Sequence, residues 1–142
     1  MLRIGYRGAR ATAPENALAS FRKALEIGVD AVELDVRKTK DTQIVVIHDE
    51  DVKRTTNGAG LVCELTLKEI KGFDAGHGEK IPTLEETLDF LDKRVKVFVE
   101  LKEQVLKNKC FQSFIRMLWR RMLCWFLFLK TQSKSQGAKR KH

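Results

Sequence analysis

The sequence predicts an α/β fold built on a parallel sheet. Three strand-like runs, at residues 2–5, 31–37 and 95–102, alternate with stretches whose apolar residues recur at helical spacing. The first interval holds Leu18, Phe21 and Leu25 on one helical face with Gly28 as its exit, so the chain opens strand, helix, strand, the order of a parallel crossover. A length of 142 residues with 43% hydrophobic content suffices for one ordinary core.

The elements follow in order. Residues 2–5 form a short buried strand leading into Tyr6-Arg7-Gly8 and a loop that ends in Pro14-Glu15-Asn16. Asn16 is the expected N-cap of a helix that runs to Ile27. After the strand at 31–37, only a few residues around Asp41-Thr42 precede the next run at 43–48, too few for a parallel crossover, so an antiparallel ribbon is expected. With a two-residue turn, Lys40 faces Gln43 and His48 falls opposite Asp35. Thr42 suits the positive φ of such a turn poorly, which leaves a longer loop and a shifted register open. Residues 50–80 are rich in loop signals, with a short helix marked by the capping pattern Thr66-Leu67-Lys68-Glu69. The pattern recurs at Thr83-Leu84-Glu85-Glu86, opening a helix that ends near Asp92, and the strand at 95–102 follows.

Charge divides the chain. All 19 carboxylates lie in residues 1–104 against 17 Lys and Arg, a net of −2, whereas residues 105–142 carry ten basic residues and no acid, a net of +10. The overall charge of +8 therefore belongs to a tail, and it does not argue for nucleic-acid binding. Cys63, Cys110 and Cys124 have no metal-ligand spacing and suggest no disulfide framework, so a reducing cytoplasm is the expected compartment. Met1 leads almost at once into the first strand, so no signal peptide is expected. In the tail, Phe111, Phe114, Leu118, Met122, Trp125 and Leu129 fall on one helical face. The longest apolar run there, residues 122–129, is far short of the roughly 20 residues that span a bilayer, though a membrane-surface helix is conceivable.

Polar groups stand where strands should be apolar. Glu33 and Asp35 share one face of the strand at 31–37, Glu100 and Lys102 share a face of the strand at 95–102, and His48-Asp49 closes the ribbon. A buried pair of carboxylates needs a positive partner, either a divalent cation held by hard oxygen ligands or neighbouring Lys and Arg.

Seven segments in order carry a resemblance: Gly5-Tyr6-Arg7-Gly8, Pro14-Glu15-Asn16, Glu33-Leu34-Asp35-Val36, the stretch from Asp41 to His48-Asp49, Arg54-Thr55-Thr56-Asn57-Gly58, Ile81-Pro82-Thr83-Leu84-Glu85 and Glu100-Leu101-Lys102. Together they resemble the glycerophosphodiester phosphodiesterase family. The resemblance implies the N-terminal part of a (β/α)8 TIM-type barrel with its site at the C-terminal ends of the strands, and a family-specific insertion at about residues 36–80. It implies a divalent cation, Mg²⁺ or Ca²⁺, on Glu33, Asp35 and Glu100, with Arg7 and Lys102 contacting phosphate and His48 as an acid/base group. The implied reaction belongs to lipid and glycerol metabolism. The glycerol hydroxyl next to the ester attacks phosphorus, the alcohol leaves, and water opens the cyclic phosphate to glycerol 3-phosphate.

Two departures stand out. The family places a histidine where this chain has Tyr6, and a phenol of pKa ~10 donates a proton at neutral pH but does not take one. A barrel of this type needs ~250 residues, and the resemblance stops near Glu103. Residues 105–142 thus read as a non-family tail, a replaced end or a shifted reading frame. Open barrel edges are expected to favour self-association. The non-enzymatic alternative is a metal- or phosphate-binding remnant whose basic tail meets membranes. A second alternative is a related phospholipid-cleaving lyase that stops at the cyclic phosphate.

Overall fold

A computed structural model describes residues 1–102 and 126–130. Strand β1 (Ile4–Tyr6) is followed by helix α1 (Leu18–Ile27) and strand β2 (Ala31–Lys38), and β1 and β2 pair in parallel from Ile4 with Ala31 to Tyr6 with Glu33. The ribbon strand β3 (Ile44–Val46) leads through a 3-10 turn (Val62–Glu64) and helix α2 (Leu67–Gly72) to helix α3 (Leu84–Leu91). Strand β4 (Lys96–Leu101) then pairs in parallel with β2, and strand β5 (Phe126–Lys130) in parallel with β4. The parallel order is β1-β2-β4-β5, with β3 antiparallel to β2. The expected crossover order is borne out.

Side-chain alternation divides β2 into two environments. Val32, Leu34 and Val36 are fully buried and join Phe21 and Ala24 of α1, Leu84, Leu88 and Leu91 of α3, and Val97, Val99 and Leu101 of β4 in the main core. Glu33, Asp35 and Arg37 alternate with them and are buried on the opposite face. A smaller cluster of Val45, Ile47, Val52, Val62, Ile70 and Ile81 packs the insertion onto itself. Both capping boxes form, Thr66 with Glu69 and Thr83 with Glu86. Gly28 closes α1 at φ 77° and donates to the carbonyls of Ala24 and Leu25.

Four expectations need correction. The first strand is not a buried one: β1 ends the strand order, and Leu2, Ile4 and Tyr6 are exposed while Gly5 alone of β1 is buried. Asn16 does not cap α1: the N-cap is Ala17 without a side-chain hydrogen bond, and Asn16 adopts φ 58° with its amide turned to Asp35. The ribbon register is shifted by one residue, since Val36 pairs with Val46 and Lys38 with Ile44, so that Ile47, not His48, donates to the Asp35 carbonyl. The reason lies in the turn: Thr39 N–H donates to the Gln43 carbonyl, and three residues, not two, make the loop, with Thr42 at φ 65° in the left-handed position. Thr39 Oγ1 supports that turn, accepting from Gln43 N and meeting Asp41 Oδ1 at 2.6 Å. Finally, Leu129 lies in the extended β5 and not on a helical face, while Phe111, Phe114, Leu118, Met122 and Trp125 fall outside the described residues. Among the described residues no helix is long and apolar enough to cross a membrane.

Candidate active site

Parallel pairing places Asp35 beside Glu100 and Tyr6 beside Glu33, all near the C-terminal ends of their strands. Ligand oxygens of Glu33, Asp35 and Glu100 lie within 4.8 Å of one another. Asp35 is fully buried, and it is met by Arg7 Nε at 3.2 Å, Lys102 Nζ at 3.1 Å and the Asn16 amide at 3.2 Å. Lys102 also bonds Glu100. Glu33 accepts from the backbone N–H of Arg7 at 3.1 Å. The backbone reaches that position because Arg7 sits at φ 52° and Gly8 at φ 81°, where an added Cβ at Gly8 would fall 2.1 Å from Ser20 Oγ. Ser20 in turn donates to the Arg7 carbonyl at 2.8 Å and fixes the loop to α1.

The electrostatics are unbalanced. Three carboxylates face Arg7 and Lys102, and Arg7 is shared with Glu15 at 3.1 Å. Burial, then the charge of Asp35 and that of Glu100, push the Glu33 carboxyl up to about 7. Burial also opposes the Arg7 guanidinium charge, but Asp35, Tyr6 and Glu15 outweigh it and raise its pKa above the ordinary value. Glu33 Oε1, Asp35 Oδ1 and Asn16 Oδ1 are buried acceptors with no hydrogen-bond donor. Lys102 and Arg7 lie within ion-pair distance of Asp35, but the donor Arg7 Nε and the acceptor Asp35 Oδ1 make no aligned hydrogen bond, so the ion pairs answer the charge of Asp35 without saturating the lone pairs of its Oδ1. A hard divalent cation answers both the excess carboxylate and the free oxygens, and the donor set fits one.

Arg7, Lys102, Glu33, Asp35 and Glu100 are thus brought into one cluster. Tyr6 joins at its margin, with its Oη accepting from Arg7 Nη2 at 3.0 Å and the guanidiniums of Arg7 and Arg10 lying 4.8 and 4.6 Å from its ring centroid. His48 does not touch the carboxylate trio through any bond described. Its carbonyl accepts from Arg37 Nε at 2.7 Å, and its Nδ1 lies 2.7 Å from Asp49 Oδ1. Asp49 is held by Arg54, Arg54 by Glu15, and Glu15 by Arg7. Sequence reasoning gave Glu15 and Asn16 structural roles at the loop and helix start, with Glu15 close enough in sequence to touch the site, and gave Asp49 and Arg54 none. Their presence in the Pro-Glu-Asn, His-Asp and Arg-Thr-Thr-Asn-Gly segments was the available signal.

Residues 7–125 match the Glycerophosphoryl diester phosphodiesterase family. The chain belongs to that family. A glycerophosphodiester phosphodiesterase of Caldanaerobacter subterraneus is 48% identical over 111 residues, covering 72% of this chain and 46% of its own length. The human glycerophosphodiester phosphodiesterase 1 is 35% identical over 139 residues, covering 87% of this chain and 42% of its own. Among solved structures, the Agrobacterium tumefaciens enzyme superposes with a TM-score of 0.82 at 35% identity over 94% of this chain and 59% of that one. An Oleispira antarctica phosphodiesterase in complex with the product sn-glycerol-3-phosphate gives 0.84 at 31% identity over 94% and 58%. The sheet is therefore part of the barrel expected from sequence. The chain spans less than half the length of these curated relatives. The family match runs to residue 125, beyond the segment in which sequence motifs were legible.

Proposed function

We propose that this site binds a divalent cation, Mg²⁺ or Ca²⁺, and hydrolyses a glycerophosphodiester to glycerol 3-phosphate and an alcohol. The observation that carries the reading is the convergence of Glu33, Asp35 and Glu100 within 4.8 Å, with buried oxygens lacking donors, beside Arg7 and Lys102. The product complex of the Oleispira antarctica relative supports the substrate class.

Glu33, Asp35 and Glu100 would hold the cation, which when bound supplies Lewis-acid polarisation of a phosphoryl oxygen. The protein's own groups supply the rest. Arg7 and Lys102 neutralise the charge that grows on the phosphoryl oxygens. His48, carried on the ribbon exit, takes the proton of the attacking glycerol hydroxyl. Tyr6 accepts from Arg7 through its oxygen, which leaves its own proton to give to the departing alkoxide. Water then opens the cyclic phosphate, with the proton transfers reversed.

Titration calorimetry with Mg²⁺ and with Ca²⁺, beside an assay of glycerol 3-phosphate release from a glycerophosphodiester, tests the reading. Expected are saturable cation binding that Asp35→Ala abolishes and cation-dependent release. Absence of binding by either ion, or release that is indifferent to a chelator, would overturn it.

A further inference from the structure

Arg54 makes two forked ion pairs with one guanidinium. Its Nε and Nη2 donate to Asp49 Oδ2 and Oδ1 at 2.5 and 3.1 Å, and its Nη1 and Nη2 donate to Glu15 Oε2 and Oε1 at 3.2 and 2.6 Å. Four of the five donors of the guanidinium orientation are satisfied in this way, which only a planar fork can do. The partners come from distant places in the chain. Glu15 belongs to the loop before α1 and also holds Arg7, while Asp49 belongs to the ribbon exit and meets His48 Nδ1 at 2.7 Å. One side chain therefore ties the insertion to the loop that carries the phosphate-facing cation.

The tie has a chemical consequence at His48. Both Asp49 oxygens already accept from Arg54, and the forked pair keeps the carboxyl ionised, well below the usual carboxylate range, first through Arg54 and then, after burial's opposing effect, through His48. An ionised carboxylate only accepts, so the 2.7 Å contact requires that His48 Nδ1 be the donor. Neutral His48 then carries its proton on Nδ1 and leaves Nε2 as the basic nitrogen.

We infer that Asp49, Arg54 and Glu15 are positioning residues that fix His48 in the Nδ1–H tautomer and present Nε2 to the reacting hydroxyl. The inference rests on His48 serving as the acid/base group of the proposed hydrolysis. The logic is that of a base oriented by an acceptor behind it, here with an arginine holding the acceptor.

The test is ¹⁵N NMR of the imidazole nitrogens in the full chain, with His48 assigned by the signals lost in His48→Gln. At a pH where the ring is neutral, the wild type is expected to show the Nδ1–H tautomer. In Asp49→Asn the single remaining oxygen is claimed by Arg54 and the amide NH₂ turns to His48, so the expected spectrum shifts to the Nε2–H form. A dominant Nε2–H form in the wild type overturns the inference by itself, whatever the variants do. So does an Asp49→Asn protein that keeps the wild-type backbone spectrum and the Nδ1–H tautomer. Arg54→Lys keeps the charge but not the double fork, and a mixed tautomer population is expected; an unchanged one would remove Arg54 from the assignment. None of these readouts needs turnover, so an inactive protein with the Nδ1–H form would sink the proposed hydrolysis and leave the positioning intact.

Discussion

Glu33→Gln in the cation-free protein should stabilise the fold at pH 8 and do almost nothing at pH 4.5. The folded Glu33 carboxyl titrates at about 7 against an ordinary 4.5, because burial and then Asp35 and Glu100 disfavour its charge. Between those values the folded protein keeps a proton that the unfolded chain has released, so stability falls as pH rises through the window. Each pH unit between the two values is worth 1.36 kcal/mol, which makes the loss about 3 kcal/mol by pH 8. Glutamine can accept from Arg7 N–H as Glu33 Oε2 does, so the variant removes the charge and keeps the bond. Urea denaturation in chelator from pH 4.5 to 8, read as the wild-type minus variant difference, isolates this one group. Carboxyls held below their ordinary values, such as Glu15 and Glu86, lose their contribution only as pH falls further, and they cancel in the difference. A cation at 100 times its Kd should return about 2.7 kcal/mol to the wild type and clearly less to the variant. A flat difference curve, or a variant less stable than wild type at pH 8, would refute the claim that the trio holds uncompensated negative charge.

Other outcomes follow from the packing and the loop. Leu88→Ala, at a side chain 1% exposed between α3 and the sheet, should cost about 2–5 kcal/mol in urea denaturation with little change in cation affinity per folded molecule. Gly8→Ala forces a Cβ onto Ser20 at φ 81° and should cost about 2–3 kcal/mol while weakening cation binding in calorimetry, since Ser20 holds the Arg7 carbonyl. Tyr6→His should raise glycerol 3-phosphate release by up to about 10²–10⁴-fold, the usual worth of one acid/base group, and no gain would remove position 6 from the proton transfers.

The carboxylate cluster was legible because it breaks a simple period. Glu33 and Asp35 interrupt an otherwise apolar strand, and Glu100 does the same in β4, so two-residue alternation alone puts each on a face. That they meet depends on the parallel pairing of Asp35 with Glu100; the strand-helix order pointed only to a parallel sheet, and the three-carboxylate site was implied by the family resemblance. The ribbon register was not legible, because it turns on one residue of loop length: Thr42 accepts a positive φ supported by the Thr39 side chain, a local hydrogen-bond choice that composition does not encode. Asn16 misled for a related reason. Its residue type favours a helix cap, but the carboxylate of Asp35, 19 positions away, offers its amide a buried partner that a cap would not. The Arg54 fork spans 39 positions to Glu15 and leaves no periodic trace at all.

The same alternation that builds the core also makes the site affordable. Val32, Leu34 and Val36 are fully buried on the helix side of β2, and each contributes on the order of 1.5–3 kcal/mol relative to exposure. Val97, Val99 and Leu101 do the same on β4, so the strands stay paired even while Glu33 opposes them by about 3 kcal/mol at neutral pH. A one-residue slip of β2 would exchange the two faces, driving Glu33 and Asp35 among Phe21, Leu88 and Leu91. Register is therefore held by the cost of misplacing the carboxylates as well as by the gain of placing the valines. The charged face can then remain short of positive partners without loosening the sheet, and that shortage is what the proposed cation would answer at the strand ends.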